Sequence, residues 1–217
     1  MKHSIYLLSP LNKEDTIPLS MITFNTTTDT IDLSTCDTLM FTSKQAVKSA
    51  EILNSSWKKI PCLAIGSATA KQIVALGGTV IYQPKYFYGQ TLSQDIIEKF
   101  KDKNILYLRP KEVSFDSKSF LAKANIILQE QIIYETTCIK YGKEETPKEN
   151  AIIIFTSPST IQCFFKSFSW DESYTAIVIG ASTKNHLPQN VRYEVANEAT
   201  IDACVAKAKE LLTANRL

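Results

Sequence analysis

The chain has 217 residues, of which 44% are hydrophobic and 21% charged, with a formal charge of +2 at pH 7. That length is enough for one large domain or two small ones with buried cores. A near-neutral balance without a nucleic-acid-reading motif argues against a dedicated nucleic-acid binder, and apolar runs of about six residues at most exclude a membrane helix, which needs roughly 20. No signal peptide is visible, so the expected compartment is the cytoplasm.

In chain order, Ile5-Tyr6-Leu7-Leu8 reads as a strand stopped by Pro10, and Pro18 interrupts the short connection that follows. The Thr-rich stretch 21–28 reads as an exposed strand or linker. Thr38-Leu39-Met40-Phe41 is a buried strand, and after Thr42-Ser43 a helix is expected with Ala46, Val47, Ala50 and Leu53 on one face. Cys62-Leu63-Ala64-Ile65 is the next strand, leading through Gly66-Ser67-Ala68-Thr69 into a helix continued by Ala70, Ile73 and Val74. Thr91 to Gln94 resembles a capping box ahead of a Leu92, Ile96, Phe100 stripe.

The second half repeats this order. Ile105-Leu106-Tyr107-Leu108-Arg109-Pro110 is again a strand and stop, and Phe120, Leu121 and Ala124 mark a helix face. Segment 131–138 is a second hydroxyl-rich linker, able to pair with 21–28. Strand Ile152 to Phe155 leads to Ser157, an expected N-cap with Pro158 at the first helical position, and the helix is expected to set Ile161, Phe164, Phe165 and Phe168 on one face. Strand Ala176 to Ile179 leads through Gly180-Ala181-Ser182-Thr183 into a helix of about one turn, ended by Pro188. The final helix is expected to set Ile201, Val205, Ala208, Leu211 and Leu212 on one face.

The two copies keep register: Thr42 to Gly66 and Thr156 to Gly180 are both separated by 24 positions. Strands alternating with helices imply parallel sheets covered on both faces, in an α/β fold. Ligands bind such sheets at the carboxyl ends of the strands, where all four hydroxyl junctions fall. There, unpaired N–H groups at helix starts suit carboxylates or phosphates. Arg109 ends its strand where Ser9 ends the matching one, so its guanidinium is expected at the same anion-binding edge.

Other chemistries find little support. His3 and His186 sit in positions unlike those of catalytic or metal-binding histidines, and G-x-S-x-G, Walker and G-x-G-x-x-G motifs are absent. The five cysteines, Cys36, Cys62, Cys138, Cys163 and Cys204, contain no C-x-x-C pair, so no zinc or redox motif is indicated, and Cys62 and Cys163 read as small core residues. Tyr134 replaces Phe24 of the first copy, and a phenol protonated at neutral pH suits a proton donor.

Taken together, Phe41-Thr42-Ser43, Gly66-Ser67-Ala68-Thr69, Tyr134-Glu135-Thr136, Phe155-Thr156-Ser157-Pro158-Ser159 and Gly180-Ala181-Ser182-Thr183 resemble the uroporphyrinogen-III synthase family over nearly the whole chain. The resemblance implies two similar α/β domains joined by a two-stranded linker ladder, with a cleft between them. One domain would combine residues 1–22 and 138–217, and the other would be residues 23–137. It implies cyclisation of the linear tetrapyrrole hydroxymethylbilane, which carries eight carboxylates, with loss of water and inversion of ring D. No metal or organic cofactor is implied, and the protein is expected as a monomer in transient contact with hydroxymethylbilane synthase. Tyr134 matches the family's proposed proton donor, and Thr42, Ser43, Thr69, Ser157, Ser159 and Thr183 match substrate-facing hydroxyl positions, with Ser67 and Arg109 as further candidates. Lys184 departs from the Ala common in the family. Two other readings compete: a two-domain clamp that binds an anionic metabolite without chemistry, and a sugar-phosphate isomerase-like domain, which would need a Glu or His base.

Overall fold

The computed structural model describes residues 4–214. In the first half the elements are β1 (Ile5–Leu7), β2 (Ile17–Pro18), β3 (Ile22–Thr26), β4 (Thr38–Phe41), α1 (Lys44–Leu53), β5 (Cys62–Ala64), α2 (Ser67–Ala75), β6 (Val80–Tyr82) and α3 (Gly89–Lys99). There follow β7 (Ile105–Pro110), α4 (Ser117–Ala122), β8 (Gln129–Cys138), β9 (Ile152–Phe155), α5 (Pro158–Ser167), β10 (Thr175–Val178), α6 (Ala181–Lys184), β11 (Tyr193–Val195) and α7 (Ile201–Ala214). The chain divides into two compact units: one takes in the chain up to Thr23 and from Thr137 onward, the other is Phe24–Thr136.

In the first unit the strand order is β11-β10-β9-β1-β2, all parallel. Ile5, Leu7, Ile152, Ile154 and Ile177 point to one face, where Cys204, Val205 and Ala208 of α7 cover them. The opposite face carries Phe155 against Phe164 of α5, ring centroids 5.5 Å apart in an edge-on contact. Burial on both faces explains why the central strand β9 is apolar at every position rather than alternating.

The second unit orders its strands β3-β8-β7-β4-β5-β6, with β8 through β6 parallel. β3 runs antiparallel to β8, as the flanking bonds from Thr27 N to Ile133 O and from Ile139 N to Met21 O show. Leu39 and Phe41 of β4 pack under Ala46, Val47 and Ala50 of α1 and Ile73 of α2. Met40, Leu63 and Tyr107 meet Leu92 and Ile96 of α3 and Leu121 of α4 on the other face. The α/β expectation of parallel sheets with helices on both faces therefore holds in each unit.

Several local expectations change. The capping box at Thr91 is not a helix start, because α3 begins two residues earlier at Gly89 and has Tyr88 as its N-cap. As expected from the shorter first copy, only the second connection holds a helix: the one after Pro10 has the two-residue β2, and its counterpart after Pro110 has the six-residue α4. Cys163 is buried, but it is not an isolated core thiol: it is joined to Cys138 by a disulfide, with Cα atoms 5.2 Å apart. That bond ties the last residue of β8 to the middle of α5.

Candidate active site

In the second unit the carboxyl end of β4 is the focus. Ser43 has extended backbone and N-caps α1, its Oγ accepting from Ala46 N at 3.0 Å. The same Oγ lies 2.9 Å from the Tyr134 hydroxyl of β8. Tyr134 is 4% exposed and its ring meets Phe24 edge-on at 5.9 Å. Burial raises its phenol above the ordinary value, and the Ser43 hydrogen bond opposes the rise without cancelling it. At neutral pH the group is a buried, positioned O–H.

Thr42 makes a second such pair on the other side of β4. Its Oγ1 lies 2.6 Å from the hydroxyl of Tyr107 in β7. β4 is where the sheet's connectivity reverses, with β5 on one flank and β7 on the other, so Thr42 and Tyr107 straddle the switch point where α/β sheets bind ligands. Tyr107 went unassigned at the sequence level. The available signal was period-two alternation, which sets Tyr107 and Arg109 on one face of their strand.

Tyr107 also reports on stability. Burial pushes its phenol up to about 12, against smaller opposing contributions from Thr42 and Arg109. The unfolded chain releases this proton near pH 10, whereas the folded chain holds it to about pH 12. Stability present in full below pH 10 is therefore lost as the pH rises toward 12, by roughly 2 to 3 kcal/mol for this one group. Urea unfolding at pH 9 and pH 11.5 checks this: Tyr107→Phe should flatten the difference between the two.

The remaining candidates divide. Ser67 opens α2 and is exposed, Thr69 two residues on is 4% exposed, and Gly66 caps the helix with extended backbone and no side chain. Arg109 does not present a free guanidinium at the anion-binding edge. Its Nη1 donates to Pro110 O and Lys111 O at 3.0 and 3.1 Å, and Nε sits 3.3 Å from Glu130 Oε1 as an ion pair without hydrogen-bond alignment.

In the first unit, Ser157 N-caps α5 in a reciprocal capping box with Thr160, with Pro158 opening the helix. Ser159 is half-buried in the first turn. Thr183 is 3% exposed in α6, a single turn as expected, capped by Gly180. His186 is exposed, its Nδ1 2.9 Å from Ser182 O, and His3 lies outside the described residues. Among the described residues no cluster of three or more His, Cys, Asp or Glu could hold a metal, and no helix is long and apolar enough to cross a membrane.

The sequence of hydroxyl junctions set on two parallel sheets can be compared with known proteins. A family model described as uroporphyrinogen-III synthase HemD matches residues 14–206. The chain belongs to the uroporphyrinogen-III synthase family. A curated relative from Ruminiclostridium josui, named porphyrin biosynthesis protein HemD, is 30% identical in a 189-residue alignment that covers 80% of this chain; the chain spans only 38% of that relative's length. The crystal structure of uroporphyrinogen-III synthetase from Helicobacter pylori is similar with a TM-score of 0.81 and 26% identity, over 97% of this chain and all of that one. A mutant uroporphyrinogen III synthase from Thermus thermophilus shares the fold at a TM-score of 0.61 and 11% identity, over 98% of this chain and 99% of that one.

Proposed function

We propose that this member of the uroporphyrinogen-III synthase family cyclises hydroxymethylbilane to uroporphyrinogen III as a lyase, with Tyr134 as the proton donor. The observation that carries the proposal is the Tyr134 hydroxyl 2.9 Å from Ser43 Oγ. Ser43 Oγ already accepts from Ala46 N, so its own hydrogen can be donated to the Tyr134 oxygen. The phenolic hydrogen is then free for the ligand, and a phenolate left behind keeps a hydrogen-bond donor.

The steps balance without a further reactant. Tyr134 protonates the substrate's hydroxyl, which leaves as water, and an azafulvene cation remains. Ring D attacks through its substituted carbon, forming a spiro intermediate that fragments and recloses with that ring turned over. The proton released on re-aromatisation returns to the phenolate. Much of the acceleration comes from holding ring D in position. Thr42, Ser67, Thr69, Ser157, Ser159 and Thr183 would hold the carboxylates through neutral hydroxyls and the adjoining helix N–H groups. The cytoplasm, a monomeric state and transient contact with hydroxymethylbilane synthase belong to the same proposal, on the strength of the family resemblance.

The test is to mix the purified protein with freshly generated hydroxymethylbilane, oxidise the products and separate the isomers by chromatography. Predominant type III isomer, absent without protein, supports the proposal. Type I alone overturns it.

A further inference from the structure

Three consecutive aromatic residues stand out on the second unit. Tyr86, Phe87 and Tyr88, in the connection from β6 to α3, are 60%, 53% and 70% exposed. They take no part in either core face, yet the loop that carries them is well defined. Tyr88 N donates to Tyr86 O at 2.9 Å, and Leu92 N to Tyr88 O at 3.1 Å starts α3. Gly89 packs so closely on the β7–α4 connection that a methyl group there would lie 2.8 Å from Phe115 Cβ. The loop is therefore pinned at its carboxyl end.

Its position ties it to the hydroxyl junctions. β6 runs parallel to β5, so the loop leaves the same carboxyl edge from which Gly66, Ser67 and Thr69 open α2. Phe87 lies directly on that junction: a methyl group at Gly66 would sit 3.0 Å from Phe87 Cγ. The missing side chain lets the ring rest on the α2 N-cap. An aromatic surface thus adjoins backbone N–H groups and a hydroxyl, and Lys85 adds a cation 5.6 Å from the Tyr86 ring centre. A purely anionic ligand would use the polar half alone. A ligand of flat π rings bearing carboxylates uses both.

We propose that Tyr86, Phe87 and Tyr88 form an aromatic platform that takes a pyrrole ring of the substrate, while Ser67 and the α2 N–H groups take that ring's carboxylates. This inference rests on the synthase reading and adds a specificity-determining subsite to it. Tyr86 and Tyr88 are exposed, so their removal leaves folding intact and acts on substrate affinity.

The experiment measures steady-state type III formation from hydroxymethylbilane with the wild type, the double variant Tyr86→Ala/Tyr88→Ala, Phe87→Leu and Phe87→Tyr. KM should rise roughly 5- to 10-fold in the double variant with kcat within about twofold and an unchanged thermal midpoint. Phe87→Leu should raise KM, and Phe87→Tyr should restore it. An active wild type whose KM is matched by the double variant and Phe87→Leu overturns the platform. Should the wild type make no type III isomer, the synthase reading falls by itself, and the platform is tested by titrating uroporphyrin against intrinsic fluorescence. Weaker binding by the double variant then upholds the platform, whereas equal affinity, or binding by neither protein, overturns it.

Discussion

Tyr134→Phe should lower kcat for type III formation roughly 100-fold while changing KM less than about threefold. Only one oxygen is removed, and the ring keeps its edge-on contact with Phe24. Ser43 retains its cap on Ala46 N, so α1 stays anchored and the fold loses on the order of one hydrogen bond, about 1 kcal/mol. A uniform binding role would instead raise KM and spare kcat. Residual type III product should persist, because positioning by the hydroxyls survives the substitution. Complete loss of type III product, or a change confined to KM, contradicts the assigned role. The pH profile gives a second readout: Tyr134 is held above its ordinary phenol value chiefly by burial, so the wild type should show no fall between pH 7 and 9 that the variant lacks.

Breaking the Cys138–Cys163 bond should destabilise the protein by about 3 kcal/mol, the loop-closure contribution expected for the 25-residue separation. The thermal midpoint of the oxidised protein should therefore fall by about 10 °C on reduction, and Cys163→Ala should behave as the reduced protein does, insensitive to added reductant. The remaining cysteines are poor exchange partners. Burial pushes the Cys62 thiol up to about 12 and Cys204 up to about 11, and Cys36 is raised as well. Intact mass under oxidising and reducing conditions counts the two hydrogens gained. An unchanged midpoint on full reduction would show that packing of α5 on β9, not the crosslink, holds this segment.

Much of both units was legible because the signals are local. Phe41 and Phe155 close apolar runs buried on both sides, Ser43 and Ser157 each cap the helix three residues before the amide they accept from, and Pro188 limits α6 to one turn. The strands β6 and β11 escaped the reading because each is three residues long, at a sheet edge and largely unburied, so neither shows a continuous apolar run. The Thr91 motif failed because chemistry suited to a cap was present while the helix had already begun at Gly89, packed against Phe115.

Of the pairings across long separations only one was legible, the Thr-rich stretch 21–28 with 131–138, which the structure forms as β3 beside β8. Ser43 and Tyr134 are 91 positions apart, Thr42 and Tyr107 are 65 apart, and nothing in their neighbourhoods names the partner. Arg109 reads as an available cation until Glu130 of the adjacent strand is seen beside it. The sequence by itself determined the repeated order of strand, hydroxyl turn and helix, since apolar runs and caps act over a few residues. That the repeats exchange their first strands was implied by the family resemblance alone and by no local pattern; the tertiary structure sets β1 beside β9 and β7 beside β4. Matching strands of the two repeats are alike in hydrophobicity, so local pattern cannot choose between them; closure of the chain around each sheet and packing of the helices on its faces make that choice.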